Sequence, residues 1–154
     1  MIMKDVVISI TGVQQGEGAP SMLEMVTQGQ YGVERDKILL RYQESELTGM
    51  EGMETSITIR PQRVEMLRQG AEGAGAQMIF EEGEKNYFLY NTPFGSATMG
   101  LHTNKIHCRM GERGGFMEID YSVDMEEHVV GRNRFFIHVK ETEKSHTGDI
   151  RWPI

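Results

Sequence analysis

This chain of 154 residues has only one cysteine, one tryptophan and four prolines, and the scarcities exclude whole classes of protein. With Cys108 alone, no disulfide can form within the chain, which suits a reducing compartment. Nowhere do about 18 apolar residues run together as a membrane-spanning helix requires. The opening Met1-Ile2-Met3-Lys4-Asp5 lacks the apolar stretch of a signal peptide. A soluble, cytoplasmic protein with no membrane partner is therefore expected. Basic residues never cluster: 16 stand against 23 acidic ones, for a net charge of −7. Nucleic acid is not an expected partner, because neutralising phosphates takes a basic surface.

Signatures of chemistry are equally sparse. His102, His107, His128, His138 and His146 are scattered, without the HxxxH, HxH or paired-cysteine spacing of a zinc site. His107 adjoins Cys108, but neighbouring residues of a strand point to opposite faces and cannot form a nucleophile–base pair. Cys108 reads instead as a small buried hydrophobe. No Gly-x-Ser-x-Gly elbow and no phosphate-binding loop occurs, and Gly49-Met50-Glu51-Gly52 reads as a turn. Glu118, Asp120, Ser122 and Asp124 share one strand face, which a straight strand cannot wrap around a cation, so they read as a solvated face. No catalytic residue, metal ligand or cofactor is assigned.

What the chain does have is a two-residue alternation of apolar and polar side chains, restarted about ten times between Asp5 and Lys140. Strands are expected at 4–13, 22–31, 37–44, 54–60, 63–69, 76–82, 86–91, 96–110 with a break, 115–125 and 129–140. Glycine-rich or acidic turns separate them: Gly16 to Pro20, Gly70 to Gly75, Glu82 to Asn86 and Gly111 to Gly115. Short connections favour neighbouring antiparallel strands. Within 96–110 the apolar parity changes, from Ala97, Met99 and Leu101 to Ile106, Cys108 and Met110, so a bulge is expected near Thr103-Asn104-Lys105. Twelve methionines suit an irregular interior. The expected fold is all-β: one closed antiparallel up-and-down β-barrel of about eight to ten strands over residues 1–140, with 141–154 a polar tail whose Trp152 would dock in an apolar groove if ordered.

The same alternation selects candidate ligand-binding residues. The inward face of Ile38, Leu40 and Tyr42 continues to Glu44, and polar groups close other inward faces too: Arg68 follows Val64 and Met66, and Asn91 follows Tyr87 and Leu89. Tyr121 shares parity with Met117, Ile119, Val123 and Met125 and points inward, its hydroxyl seeking a partner. Glu44 and Arg68 are expected at one end of the barrel, interacting directly or through water. Tyr42, Glu44, Arg68, Asn91 and Tyr121 together would orient a ligand against apolar walls; the alternative is that these strands simply reach the rim.

Three runs, Tyr42 to Gly52, Asn91-Thr92-Pro93-Phe94-Gly95, and Glu118 to Ser122 with Val130-Gly131-Arg132-Asn133, resemble the YwiB-like family of small bacterial proteins. The resemblance spans roughly Lys4 to Lys140. It implies a closed antiparallel barrel similar to calycins and lipocalins, carries over no active-site residue, and leaves the tail as a departure, since members generally end near the last strand. Three readings of function stay open. The first is a non-enzymatic binding barrel for a small, partly apolar molecule. The second is a structural or interaction protein, a homodimer with a packed lumen, associating through exposed Leu39, Phe88, Tyr90 and Phe136. The third is an enzyme working through carboxylates such as Glu44 and Glu46.

Overall fold

Alternation of the kind above puts every second side chain on one face of a strand, and ten such strands bury that face together by curling into a barrel. The computed structural model describes residues 1–16, 19–45, 51–70, 75–92, 95–126 and 128–142. Its strands are β1 (Met3–Gln15), β2 (Ser21–Glu34), β3 (Lys37–Gln43), β4 (Glu54–Arg60), β5 (Arg63–Gln69), β6 (Gly75–Phe80), β7 (Lys85–Thr92), β8 (Gly95–Gly111), β9 (Gly114–Met125) and β10 (His128–Glu141). Each pairs antiparallel with its neighbour in sequence, and β1 closes the ring against β10, from Val6 opposite Glu141 to Gln15 opposite Arg132. All ten strands fall where the alternation places them; residues 46–50 of the β3–β4 connection, with Glu46, and 143–154 of the expected tail, with Trp152, lie outside the described residues.

The core is the inward parity of each strand. Val6, Ile8, Leu40, Ile57, Val64, Leu101, Met117, Ile119, Ile137 and Val139 are all fully buried. Apolar burial of this kind contributes roughly 1.5–3 kcal/mol per large side chain. Tyr31 spans the interior from β2 and donates its hydroxyl to the Gly111 carbonyl at the end of β8, 2.6 Å away. Among the described residues no helix is long and apolar enough to cross a membrane.

The expected bulge sits at Asn104. Thr103 pairs with Tyr121 and Lys105 with Asp120, leaving Asn104 unpaired between them. The extra residue switches the inward face from Met99, Leu101 and Thr103 to Ile106 and Met110. It also turns the Ile106 N–H away from the ladder, and the Glu82 carboxylate accepts it at 2.8 Å. The turn before β7 is fastened alongside: Gly83 donates to the Thr103 carbonyl, and Thr103 donates to the Glu84 carbonyl.

Two expectations are corrected. Cys108 is exposed, although it keeps the inward parity of Ile106 and Met110. Its part of β8 runs past the end of β7, so it faces a wide mouth of about 1020 Å³, shared with Val33, Ile38, Ile59 and Val64, rather than an opposing wall. Strand β7 is turned over. Its inward residue is Phe88, paired with Met99 and buried, while Tyr87 and Leu89 are 64% and 50% exposed on the outside. Asn91 shares that outer parity, where Ser96 donates a hydrogen bond to it at 2.7 Å. With Phe88 buried and Leu39 and Phe136 half-buried, Tyr90 alone of the four residues expected to form a dimer face is truly exposed.

Two measurements check this description. Replacing Glu82 by alanine should speed hydrogen exchange at the Ile106 amide roughly fivefold, the equivalent of about 1 kcal/mol for one hydrogen bond, and leave Ile119 unchanged; an unaltered Ile106 rate would mean another acceptor protects it. Burial, with a smaller push from Cys108, raises the Tyr31 pKa from 10.0 to about 12. The unfolded chain therefore releases this proton first, so the stability that Tyr31 confers is complete below pH 10 and is lost as pH rises towards 12. Denaturant melts across that window should lose stability less steeply in Tyr31→Phe than in the parent.

Candidate functional site

One end of the barrel brings several inward-facing polar residues together. Strands β3, β4 and β5 lie side by side, and their register sets Tyr42 opposite Thr55 and Thr55 opposite Arg68. Glu44 follows Tyr42 by two residues, one step further towards the rim on the same face. A threonine between the two longer side chains is what lets them meet: its short side chain leaves room above β4 for Arg68 to reach across to Glu44. Gly75 secures the other flank. Its φ of +145° and a would-be Cβ only 2.0 Å from the Arg68 carbonyl oxygen leave glycine as the residue that fits where β6 begins against β5.

The Glu44 side chain is 1% exposed and that of Arg68 26%. Burying a carboxylate this deeply is costly unless hydrogen bonds and a counter-charge replace its water. Three partners do so. Thr55 donates its hydroxyl to Glu44 Oε2, Tyr42 makes a side-chain hydrogen bond to the carboxylate, and Arg68 Nε lies 3.7 Å from Oε2. Burial first, and then the Glu44 charge, push the Tyr42 phenol well above its ordinary pKa, with Arg68 pulling the other way. Tyr42 consequently stays protonated and donates. Burial likewise raises the Tyr121 pKa against a lowering influence from Arg68. Tyr121 packs edge-on against Phe80, ring centroids 5.1 Å apart.

These residues line a cavity of about 360 Å³. Ile10, Leu23, Met25 and Phe135 supply apolar wall, and Gln14, Tyr42, Glu44, Arg68, Tyr121 and Asn133 supply polar groups. Four of the expected ligand-binding residues, Tyr42, Glu44, Arg68 and Tyr121, thus come together; Asn91, on the outer parity of β7, is not part of this cavity but lines a separate recess of about 420 Å³ that Arg68 also borders. Thr55, Gln14 and Asn133 were not among the candidates. The inward parity of Ile57 and Ile59 marks Thr55, and that of Phe135 and Ile137 marks Asn133, but parity alone does not say which strands are neighbours. Glu44 is the one carboxylate among the described residues lining the cavity, and it is committed to its partners; Glu46 lies outside the described residues. Among the described residues no cluster of three His, Cys, Asp or Glu could hold a metal ion.

The Glu44–Arg68 pair lies between a fully buried and an exposed one. A double-mutant cycle of Glu44→Gln and Arg68→Met should give a coupling of about 2 kcal/mol, above the 0–1 kcal/mol of exposed pairs and below the cost of stranding a wholly buried charge. Additive effects in chemical denaturation would contradict the pairing.

The likeness to known proteins follows the barrel. The crystal structure of the YwiB protein from Bacillus subtilis superposes with a TM-score of 0.80 at 20% sequence identity, over 91% of this chain and 93% of that one. At that identity the likeness shows the shared fold. No curated protein matches the chain. The family model described as a domain of unknown function, DUF1934, matches residues 8–137, nearly the whole barrel, and the chain belongs to that family.

Proposed function

We propose that this protein is a cytoplasmic, non-enzymatic binding barrel that holds a small, partly apolar molecule at the β1–β2 and β3–β4 end of its lumen, as lipocalin-like barrels do. One observation carries the reading: polar side chains from β3, β5 and β9 converge on a cavity whose remaining wall is aliphatic and aromatic. A few fixed polar groups in an apolar enclosure orient a ligand and select it, while the apolar wall supplies the burial. The volume of about 360 Å³ sits near the lower end for ligand sites, so the molecule is small.

Gly12 provides the test. It faces the cavity between Leu23 and Phe135, and nothing lies within 4 Å of where its Cβ would stand. Replacing it by leucine fills the space without backbone strain. In a thermal-shift screen of small amphiphiles, a true ligand should raise the parent's Tm by roughly 5–10 °C at a hundredfold excess over Kd. Gly12→Leu should melt near the parent yet give no such shift. A library that never stabilises the parent, or that stabilises both proteins alike, would overturn the reading.

A further inference from the structure

Given that the cavity binds a small amphiphile, we infer that its ligand carries a carboxylate, and that Arg68 with Tyr121 receives it. A guanidinium offers five N–H donors in a fixed, planar fork. Among the described residues Arg68 has the one ion pair to Glu44 and no hydrogen bond, and the ion pair runs through the buried Nε at a distance too long to be one. Among the described residues, the two terminal nitrogens carry four donors and meet no acceptor. A quarter of the Arg68 side chain is exposed, and the residue lines both this cavity and a recess of about 420 Å³ beside β6 and β7, so part of its fork is open to an incoming molecule.

The surroundings favour an acceptor. Glu44 is sealed, with its carboxylate shared among Thr55, Tyr42 and Arg68, and offers little to a ligand. Tyr121 lies close enough to feel the Arg68 charge and remains protonated, so its hydroxyl is a second donor at the same wall. Donors therefore outnumber acceptors where the ligand's polar end must sit. Two parallel N–H donors on a plane match the two oxygens of a carboxylate, and such bidentate pairs are stronger than hydrogen bonds between neutral groups. Glu44 acts here as a positioning residue: it anchors Nε and aims the fork inward. Opposite this donor wall, Ile10, Leu23, Met25 and Phe135 provide room for an aliphatic or aromatic body. The ligand class is a small monocarboxylic acid with an apolar tail or ring.

The probes are octanoate, its neutral counterpart 1-octanol, and octyl phosphate, titrated into the full chain by calorimetry with Met25 methyl shifts as a second readout. The parent should bind octanoate at least tenfold more tightly than either of the others. Arg68→Met should erase that preference while keeping the octanol affinity, Arg68→Lys should recover only part of it, and Tyr121→Phe should weaken octanoate several-fold with octanol unaltered. Circular dichroism melts establish that each variant is folded; the lysine and phenylalanine variants preserve most of the packing if Arg68→Met does not fold. Equal binding of octanoate and octanol would overturn the carboxylate inference while leaving the binding barrel standing, and a preference for octyl phosphate would replace it with a phosphate site. Binding of none of the three, with the Met25 methyl unmoved, would overturn both.

Discussion

Closure of the ring is the constraint on which everything else in this fold depends. Once β1 pairs with β10 over the run from Val6 to Gln15, no strand has a free choice of face: each must turn one parity into a shared interior. Closure also pairs most of the edges that would otherwise invite association with other chains, although β6 and β7 meet in register only at Gly75 opposite Asn91. A single slip of one residue in any strand would exchange its buried face for its solvated one. The chain accommodates the curvature by spending an irregularity where it is needed, at Asn104, and caps the freed Ile106 amide with Glu82.

The interior that closure creates has two ends of different character. One is a broad mouth where β8 outruns β7 and Cys108 meets solvent. At the other, inward side chains become polar before the strands end, and the barrel has to satisfy them away from bulk water. It does so by a relay across three adjacent strands, with Tyr42 and Thr55 hydrogen-bonded to Glu44 and Arg68 beside it. The hydrogen-bonded part of this network, Tyr42 and Thr55 on Glu44, rigidifies its surroundings. The same network leaves Arg68 partly uncommitted beside an apolar space, which ties the requirement of folding to the proposed ability to bind.

Strand positions were legible because burial on one side imposes a period of two, and where one face is plainly apolar, as in Ile38, Leu40 and Tyr42 or Met117 and Ile119, the inward parity follows directly. The bulge at Asn104 was legible for the same reason, as a change of parity inside one strand. Strand β7 was not: Tyr87-Phe88-Leu89-Tyr90 is apolar on both faces, so its orientation is decided by pairing with Met99 on β8 rather than by its own pattern. Cys108 eluded the pattern because burial depends on how closely the opposite side packs, and there the barrel opens into a wide mouth. Of the site, Tyr42, Glu44, Arg68 and Tyr121 could be read from parity at strand ends. Thr55 could not be given its role, since that arises from adjacency across β3, β4 and β5.

The central claim is that the polar end of the lumen is open space made to be occupied rather than core awaiting closer packing. A high-resolution crystal structure of the protein, purified without unfolding, examines that space directly. The account predicts connected density for water or a small molecule between Met25, Phe135 and Tyr121, in contact with the terminal nitrogens of Arg68. Side chains closing over that volume, with the Arg68 fork turned wholly onto protein acceptors, would contradict it.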